Sequence, residues 1–249
     1  MGLVDTEGII LKTYSLAEAD KIVVLLTQGE GLVRGVAKGA KRLKSRFGGG
    51  LEPFSIINIS YFQKEERELV SIGQVELVKS FFEAAGNPRF LQKFSYLAEL
   101  LLEFAPPHDP NERLYRMAKV CLTTAAENPE YLNSIGFYFE LWILKLGGYL
   151  PDWSSCEKCK KQIGSQSAGL QINFQLICQQ CQLSRNNRFI TLAQRKLFSD
   201  SQKVSPTKFA ELAKNQDENV REVSAILRRI ISNILGRATV EEKILTANL

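Results

Sequence analysis

The sequence predicts an α+β protein: an amino-terminal five-stranded barrel over residues 1–80, then an all-α domain over 81–249 that carries a four-cysteine insertion at about 152–190. Three observations predict it. Short β-branched runs crowd the amino-terminal third, apolar residues at helical spacing take over beyond it, and two CxxC pairs interrupt the helical part.

The strands are expected at Gly8–Leu11, Ile22–Leu26, Leu32–Val36, Phe54–Phe62 and Leu69–Ile72. Gly29-Glu30-Gly31 reads as a hairpin turn between the second and third, and Lys64-Glu65-Glu66-Arg67 as a charged turn between the fourth and fifth. In the fourth, Ile57, Ile59 and Tyr61 fall on one face and Asn58, Ser60 and Phe62 on the other. Five short strands in so few residues suit a small closed barrel of the OB-fold type, an architecture that commonly binds single strands.

Helical period begins at Phe90–Leu101, and Pro106-Pro107 stops that helix. A second helix shows the face Leu114, Met117, Ala118, Cys121, Leu122 and Ala125. A third shows Leu132, Ile135, Phe139, Trp142, Ile143 and Leu146 and ends at Gly147-Gly148. After the cysteines come a short helix near Leu192–Ser199, a helix start at Ser205-Pro206, and an amphipathic helix with Val220, Val223, Ile226, Leu227, Ile230, Ile231 and Ile234 on one face, closed by Gly236. This last helix is expected to pack on the 81–150 helices, leaving the cysteine loop as a cap on one domain.

Cys156-Glu157-Lys158-Cys159 and Cys178-Gln179-Gln180-Cys181 have the spacing of a zinc ribbon. Two thiolates three positions apart grip one ion from the same side, and the second pair closes a tetrahedron. Lys158, Lys160 and Lys161 can offset the charge of such a centre. The alternative is two unrelated redox or packing pairs. Four thiolates fill the shell and leave no open position for water, so the Zn2+ is expected to be structural. The fifth cysteine, Cys121, sits on an apolar helical face as a small core residue.

Composition excludes several classes. The single histidine, His108, has no second candidate with which to build a histidine-dependent triad, and no catalytic residue is assigned. No run approaches the length of a membrane span, and the amino terminus lacks the basic-then-apolar order of a secretory signal. Paired thiols placed for metal fit a reducing cytoplasm. Gly35-Val36-Ala37-Lys38-Gly39-Ala40-Lys41 lacks the spacing of a nucleotide phosphate loop, which disfavours a nucleotide hydrolase.

The net charge is +5 at 249 residues, and the positive excess falls beyond residue 181. The near balance of the barrel region conceals a cluster. Arg34, Lys38, Lys41, Arg42, Lys44 and Arg46 follow one another with no acid between, in a stretch bearing Gly35 and Gly39 and followed by Gly48-Gly49-Gly50. Cations on a glycine-bearing loop can track a phosphate backbone closely, and these six are the candidate DNA-binding residues. The plainer reading is a solvated basic surface. Tyr14, Phe47, Tyr61 and Phe62 are the aromatic residues on offer for base stacking, each with packing as the alternative.

Glu18-Ala19-Asp20-Lys21-Ile22-Val23, Ala37-Lys38-Gly39-Ala40-Lys41-Arg42, Lys44-Ser45-Arg46-Phe47-Gly48-Gly49 and Leu51-Glu52-Pro53-Phe54 together resemble the amino-terminal barrel of the RecO family of bacterial recombination mediators. Leu146-Gly147-Gly148-Tyr149-Leu150-Pro151 followed by the CxxC pairs is similar to that family's junction between helices and zinc loop. The resemblance implies a non-enzymatic protein of the bacterial cytoplasm and nucleoid that binds single- and double-stranded DNA and anneals complementary strands. It also implies a partner, RecR, with which RecA is loaded on strands coated by single-strand-binding protein (SSB), and contact with the acidic, apolar-ended SSB tail. The competing reading is a zinc-ribbon adaptor whose DNA contact is incidental.

Overall fold

The computed structural model describes residues 2–63, 68–182 and 188–238. The charged turn expected at 64–67 and the last residues of the chain lie outside them. Five strands come first: β1 (Gly2–Leu16), β2 (Asp20–Thr27), β3 (Gly31–Ala37), β4 (Ile56–Gln63) and β5 (Leu69–Lys79). They pair in the closed order β1-β2-β3-β5-β4, with β3 and β5 parallel and the other pairs antiparallel. This is the expected five-stranded OB-like barrel. Ile10, Val23, Leu25, Val33, Ile57, Ile59, Tyr61, Val70 and Ile72 fill it, and the alternation read in β4 holds.

Three expectations for the strands need correcting. β5, expected to end at Ile72, runs on to Lys79, because its polar continuation stays paired with β4. β1 is far longer than its apolar run, because its polar ends, Asp5 and Glu7 on one side and Lys12 and Tyr14 on the other, pair with β4 and β2 respectively. β4 begins at Ile56, not at Phe54: Phe54 has φ +68°, donates its N–H to Ile10 O at 2.7 Å, and turns its ring edge-on to Phe94.

The hairpin at Gly29–Gly31 is present, and Gly31 is required there. Its φ is +66°, and a Cβ would lie 2.3 Å from the carbonyl oxygen of Asp109, whose segment also donates His108 N–H to Leu32 O.

A short α1 (Phe82–Ala85) leads to α2 (Pro88–Phe104), capped by the Asn87 side chain, and α3 (Glu112–Glu127), capped by Asn111. All six apolar positions read for α3 are buried. The composition changes near residue 80, but packing divides the chain into compact units at 1–129 and 130–249. Helices α2 and α3 therefore go with the barrel, fixed in part by side chains of α3 that bond to β1.

In the second unit, α4 (Leu132–Leu146) is buried almost all round and not along one stripe. Its Trp142 is half-buried and donates Nε1–H to Ser201 O at 2.9 Å. A small sheet in the order β7-β6-β8 follows, made of β6 (Ala168–Leu170), β7 (Leu176–Ile177) and β8 (Phe189–Ile190). Helix α5 (Leu192–Asp200) opens with a Thr191/Gln194 capping box, α6 (Pro206–Ala213) with Ser205 and Pro206, and α7 (Asp217–Leu235) closes at Gly236 with φ +65°. Helix α7 packs its apolar face on α4 and α5, and α6 packs on α4. Among the described residues no helix is long and apolar enough to cross a membrane.

Candidate nucleic-acid interface and metal centre

The basic stretch between β3 and β4 is a chain of tight turns, closed by backbone bonds such as Arg42 N to Gly39 O, Ser45 N to Arg42 O and Gly50 N to Phe47 O. It is pinned at both root and middle. At the root, Gly39 N–H donates to Asp20 Oδ1 at 2.8 Å and Lys41 N–H to Ala19 O at 2.9 Å, which ties the loop to the β1–β2 turn. In the middle, Phe47 and Leu51 are buried in the barrel core. Apolar burial at two points holds the loop against the barrel, so the cations between are presented from a fixed base.

All six candidate cations are exposed. Two are partly engaged: Lys41 Nζ donates to Ala17 O at 3.3 Å, and the Arg46 guanidinium donates to Ile72 O at 3.3 Å and lies 4.9 Å from the Phe47 ring centre. Arg34, Lys38, Arg42 and Lys44 make no side-chain hydrogen bond or ion pair with the described residues. Arg34 stands apart from the loop, on β3.

Strand register supplies what the sequence alone did not. Lys12 pairs with Val24 and Val24 with Arg34; Tyr14 pairs with Ile22 and Ile22 with Val36. Residues paired directly share a face, so Lys12, Tyr14 and Arg34 stand together on the outside of β1-β2-β3, with half-buried Ile22 and Val36 beside them. Lys12 Nζ lies 5.0 Å from the Tyr14 ring centre.

Of the four aromatic stacking candidates, Tyr14 and Phe62 are each 45% exposed, while Phe47 and Tyr61 are core residues. Lys12 was missed, although a cation two positions before an exposed aromatic in a strand was its available signal. The far wall of the barrel has the opposite character: Asp5, Glu7, Asn58, Ser60, Gln74 and Glu76 line an open groove of about 600 Å³.

In the second unit the four cysteines converge. The sulfurs of Cys156, Cys159, Cys178 and Cys181 all lie within 4.8 Å of one another, with Cys159 and Cys178 at 3.9 Å, and none is in a disulfide. A tetrahedral shell with metal–sulfur bonds of about 2.3 Å puts its sulfurs about 3.8 Å apart, so the donor set fits a metal ion and is compatible with zinc.

The first pair sits on a turn closed by Lys160 N to Cys156 O and Cys156 N to Lys161 O, with Lys160 at φ +60°. The second sits on a turn closed by Cys181 N to Cys178 O, and Cys178 N–H donates to Cys156 Sγ at 3.3 Å. Burial works against ionising Cys156, but the backbone amides of Cys159, Cys178 and Lys158 outweigh it and bring the thiol down to about 6. By contrast burial alone pushes the Cys121 thiol well up, and Cys121 is a core residue as its helical position implied. His108 lies in the other compact unit, in the α2–α3 connection, with Gln63 Nε2 at 3.5 Å from its Nδ1.

The cysteine loop is held by side chains on either side of it. Trp153 stacks on Phe198 of α5 at 4.3 Å and donates Nε1–H to Phe174 O. The buried Arg195 guanidinium donates to the carbonyls of Ile163, Gly164 and Gln166 at 3.0, 2.6 and 2.8 Å. Between the loop and α5 opens a cavity of about 720 Å³, with Leu150, Pro151 and Phe198 among its apolar residues; its charged residues are Lys145, Arg195, Lys196 and Lys203 with Asp152 and Asp200, a cationic excess.

The family described as recombination protein O N terminal matches residues 1–81, and recombination protein O C terminal matches 94–242. The chain is 30% identical over 250 residues to the DNA repair protein RecO of Koribacter versatilis, covering 99% of this chain and 98% of the relative. It is 31% identical over 182 residues to the RecO of Thermodesulfovibrio yellowstonii, covering 72% and 70%, and 32% identical over 163 residues to that of Bifidobacterium longum, covering 65% and 67%. A barrel with a cation-bearing plugged loop, a helical unit carrying four converging cysteines, and matches along both halves agree: the chain belongs to the RecO family of DNA repair proteins.

Proposed function

We propose that this chain is a non-enzymatic recombination mediator that binds single- and double-stranded DNA, anneals complementary strands and, with RecR, helps load RecA on SSB-coated DNA. The observation that carries the reading is the acid-free row of cations, Arg34 on β3 and Lys38, Lys41, Arg42, Lys44 and Arg46 on the loop that follows it, anchored by Phe47 and Leu51. Each phosphate neutralised releases counterions and lowers the repulsion between two strands, which favours pairing without bond chemistry. Tyr14, with Lys12 over its ring and Arg34 two strands away on the same face, offers a stacking platform. The acidic groove on the opposite wall favours keeping the strand to one side.

Zn2+ held by Cys156, Cys159, Cys178 and Cys181 is structural in this reading: it fastens the loop that walls the cavity and touches no DNA chemistry. The cavity is our candidate for the SSB tail: four cations, Lys145, Arg195, Lys196 and Lys203, outnumber Asp152 and Asp200 in its lining and suit acidic residues, and Leu150, Pro151 and Phe198 suit an apolar end. The setting is the bacterial cytoplasm, at the nucleoid.

The test is annealing of complementary oligonucleotides coated by SSB, with intact and with tail-deleted SSB, with and without ATP. Acceleration independent of ATP and dependent on the tail is expected. No acceleration would favour the adaptor reading, and a strict ATP requirement would overturn the non-enzymatic one.

A further inference from the structure

The cavity in the second unit has two walls of different origin. One is helix α5 with its flanks, which has its own cap and apolar packing and needs no ion to form. The other is Leu150–Ser154 together with Gln162 and Ile163, segments that run directly into and out of the first cysteine pair. Leu150–Ser154 is tied to α5 by the stack of Trp153 on Phe198. The stretch 160–167 is held more sparsely, by the isolated bridge between Ser155 and Gln162 with Ile163 N–H donating to Ser154 O at 2.9 Å, and by Arg195.

Arg195 joins the two walls. It projects from α5, is buried, and places its guanidinium against three carbonyls of the stretch 163–166. Those carbonyls can converge only while the segment keeps its curve. That curve is set at its start by the turn at Cys156–Lys161 and downstream by Cys178, whose amide bonds to Cys156 Sγ. Arg195 Nε is already buried without an acceptor, so losing three more would leave a guanidinium uncompensated in the protein interior, a costly arrangement that it would escape by swinging out. Arg195 lies in the cavity wall next to Lys196, so such a swing changes the site itself.

We infer that metal binding at the four cysteines and acidic-peptide binding in the cavity are coupled, with Arg195 as the positioning residue between them. This rests on the reading of the cavity as a site for an acidic, apolar-ended tail. Linkage makes the coupling reciprocal: whatever factor the metal adds to peptide affinity, the peptide adds to metal affinity.

The test uses the full chain and a fluorescein-labelled peptide of aspartates ending in phenylalanine with a free carboxylate, followed by anisotropy. Lys196→Ala with Lys203→Ala examines the cavity itself and should weaken the peptide with metal content intact. Chelator-stripped protein, kept reduced, and Arg195→Lys should each bind the peptide about tenfold more weakly, within the usual span of coupling between sites. Zinc added back should restore the stripped protein, and saturating peptide should tighten zinc by the same factor in competition with a chelator. Equal peptide affinity in loaded and stripped protein, with the double lysine variant still weakened, would overturn the coupling and leave the cavity reading standing. Unchanged affinity in the double lysine variant would remove both.

Discussion

Tyr115 of α3 donates its hydroxyl to Glu7 Oε1 of β1 at 2.8 Å, and Lys119, one turn further on, donates to the same oxygen at 2.5 Å. A strand of the barrel and a helix beyond it are thereby joined through one carboxylate. Burial works against ionising Glu7, but Lys119 and Tyr115 outweigh it and hold the carboxyl below its ordinary value of 4.5. A folded pKa below the unfolded one means stabilisation that is present above about pH 4.5 and lost as the pH falls through the folded value. Glu7→Gln should therefore cost about 1.5 kcal/mol in urea unfolding at pH 7, as for hydrogen bonds to a charged group. The difference from the parent should shrink as the pH drops below 4.5. A constant difference down to acid pH would show that packing and not charge is lost.

Gly31→Ala should destabilise the first unit by more than the about 1–2 kcal/mol of a left-handed residue alone, because the new methyl would meet the Asp109 carbonyl. Gly29→Ala, whose Cβ meets only the Thr6 hydroxyl at 3.5 Å, is the control. Thermal unfolding of the two variants should separate them clearly, and equal melting temperatures would show that the 107–109 segment yields at little cost.

The parts of the fold that were legible in the sequence are those set by local period. Ile57, Ile59 and Tyr61 alternate because one face of β4 is core, and Leu114 to Ala125 recur because one face of α3 is core. Phe54 misled because an apolar residue beside a strand looks like strand, whereas it turns out to meet Phe94. The unit boundary at Pro129 was illegible because Glu7 and Tyr115 are joined by side chains far apart in sequence. The convergence of the cysteines was legible because two CxxC pairs have the spacing that a tetrahedral metal shell asks for, and the four sulfurs do meet. The row of Lys12, Tyr14 and Arg34 was not, since it exists only through the register of three strands.

Cys156→Ser with Cys181→Ser should abolish stoichiometric zinc and loosen the loop while the barrel stays folded. The barrel has its own core around Ile10 and Leu25, whereas the loop's turns are tied together at the sulfurs. Metal analysis and hydrogen exchange measure the two halves of this prediction. Retained zinc would sink the site, and barrel amides exchanging as fast as loop amides would sink the claim of independent folding.

Charge and stacking should separate in DNA binding. Lys38, Arg42 and Lys44 are exposed and unengaged by described side chains, so changing the three to Ala should lower the slope of log affinity against log salt by about 0.7 per lost contact for a single strand. Arg46→Ala is a poorer probe, since Arg46 also covers Phe47 and bonds Ile72 O, and its loss disturbs the plug as well as the charge. Tyr14→Ala removes no charge. It should leave the slope unchanged while weakening single-strand binding by about 1–3 kcal/mol, the range for one base stacked on an aromatic ring. Duplex binding, in which bases are already stacked on one another, should be nearly indifferent to Tyr14. A Tyr14 variant that loses single and double strands equally would move the stacking role elsewhere, with Phe62 the other exposed aromatic of the barrel.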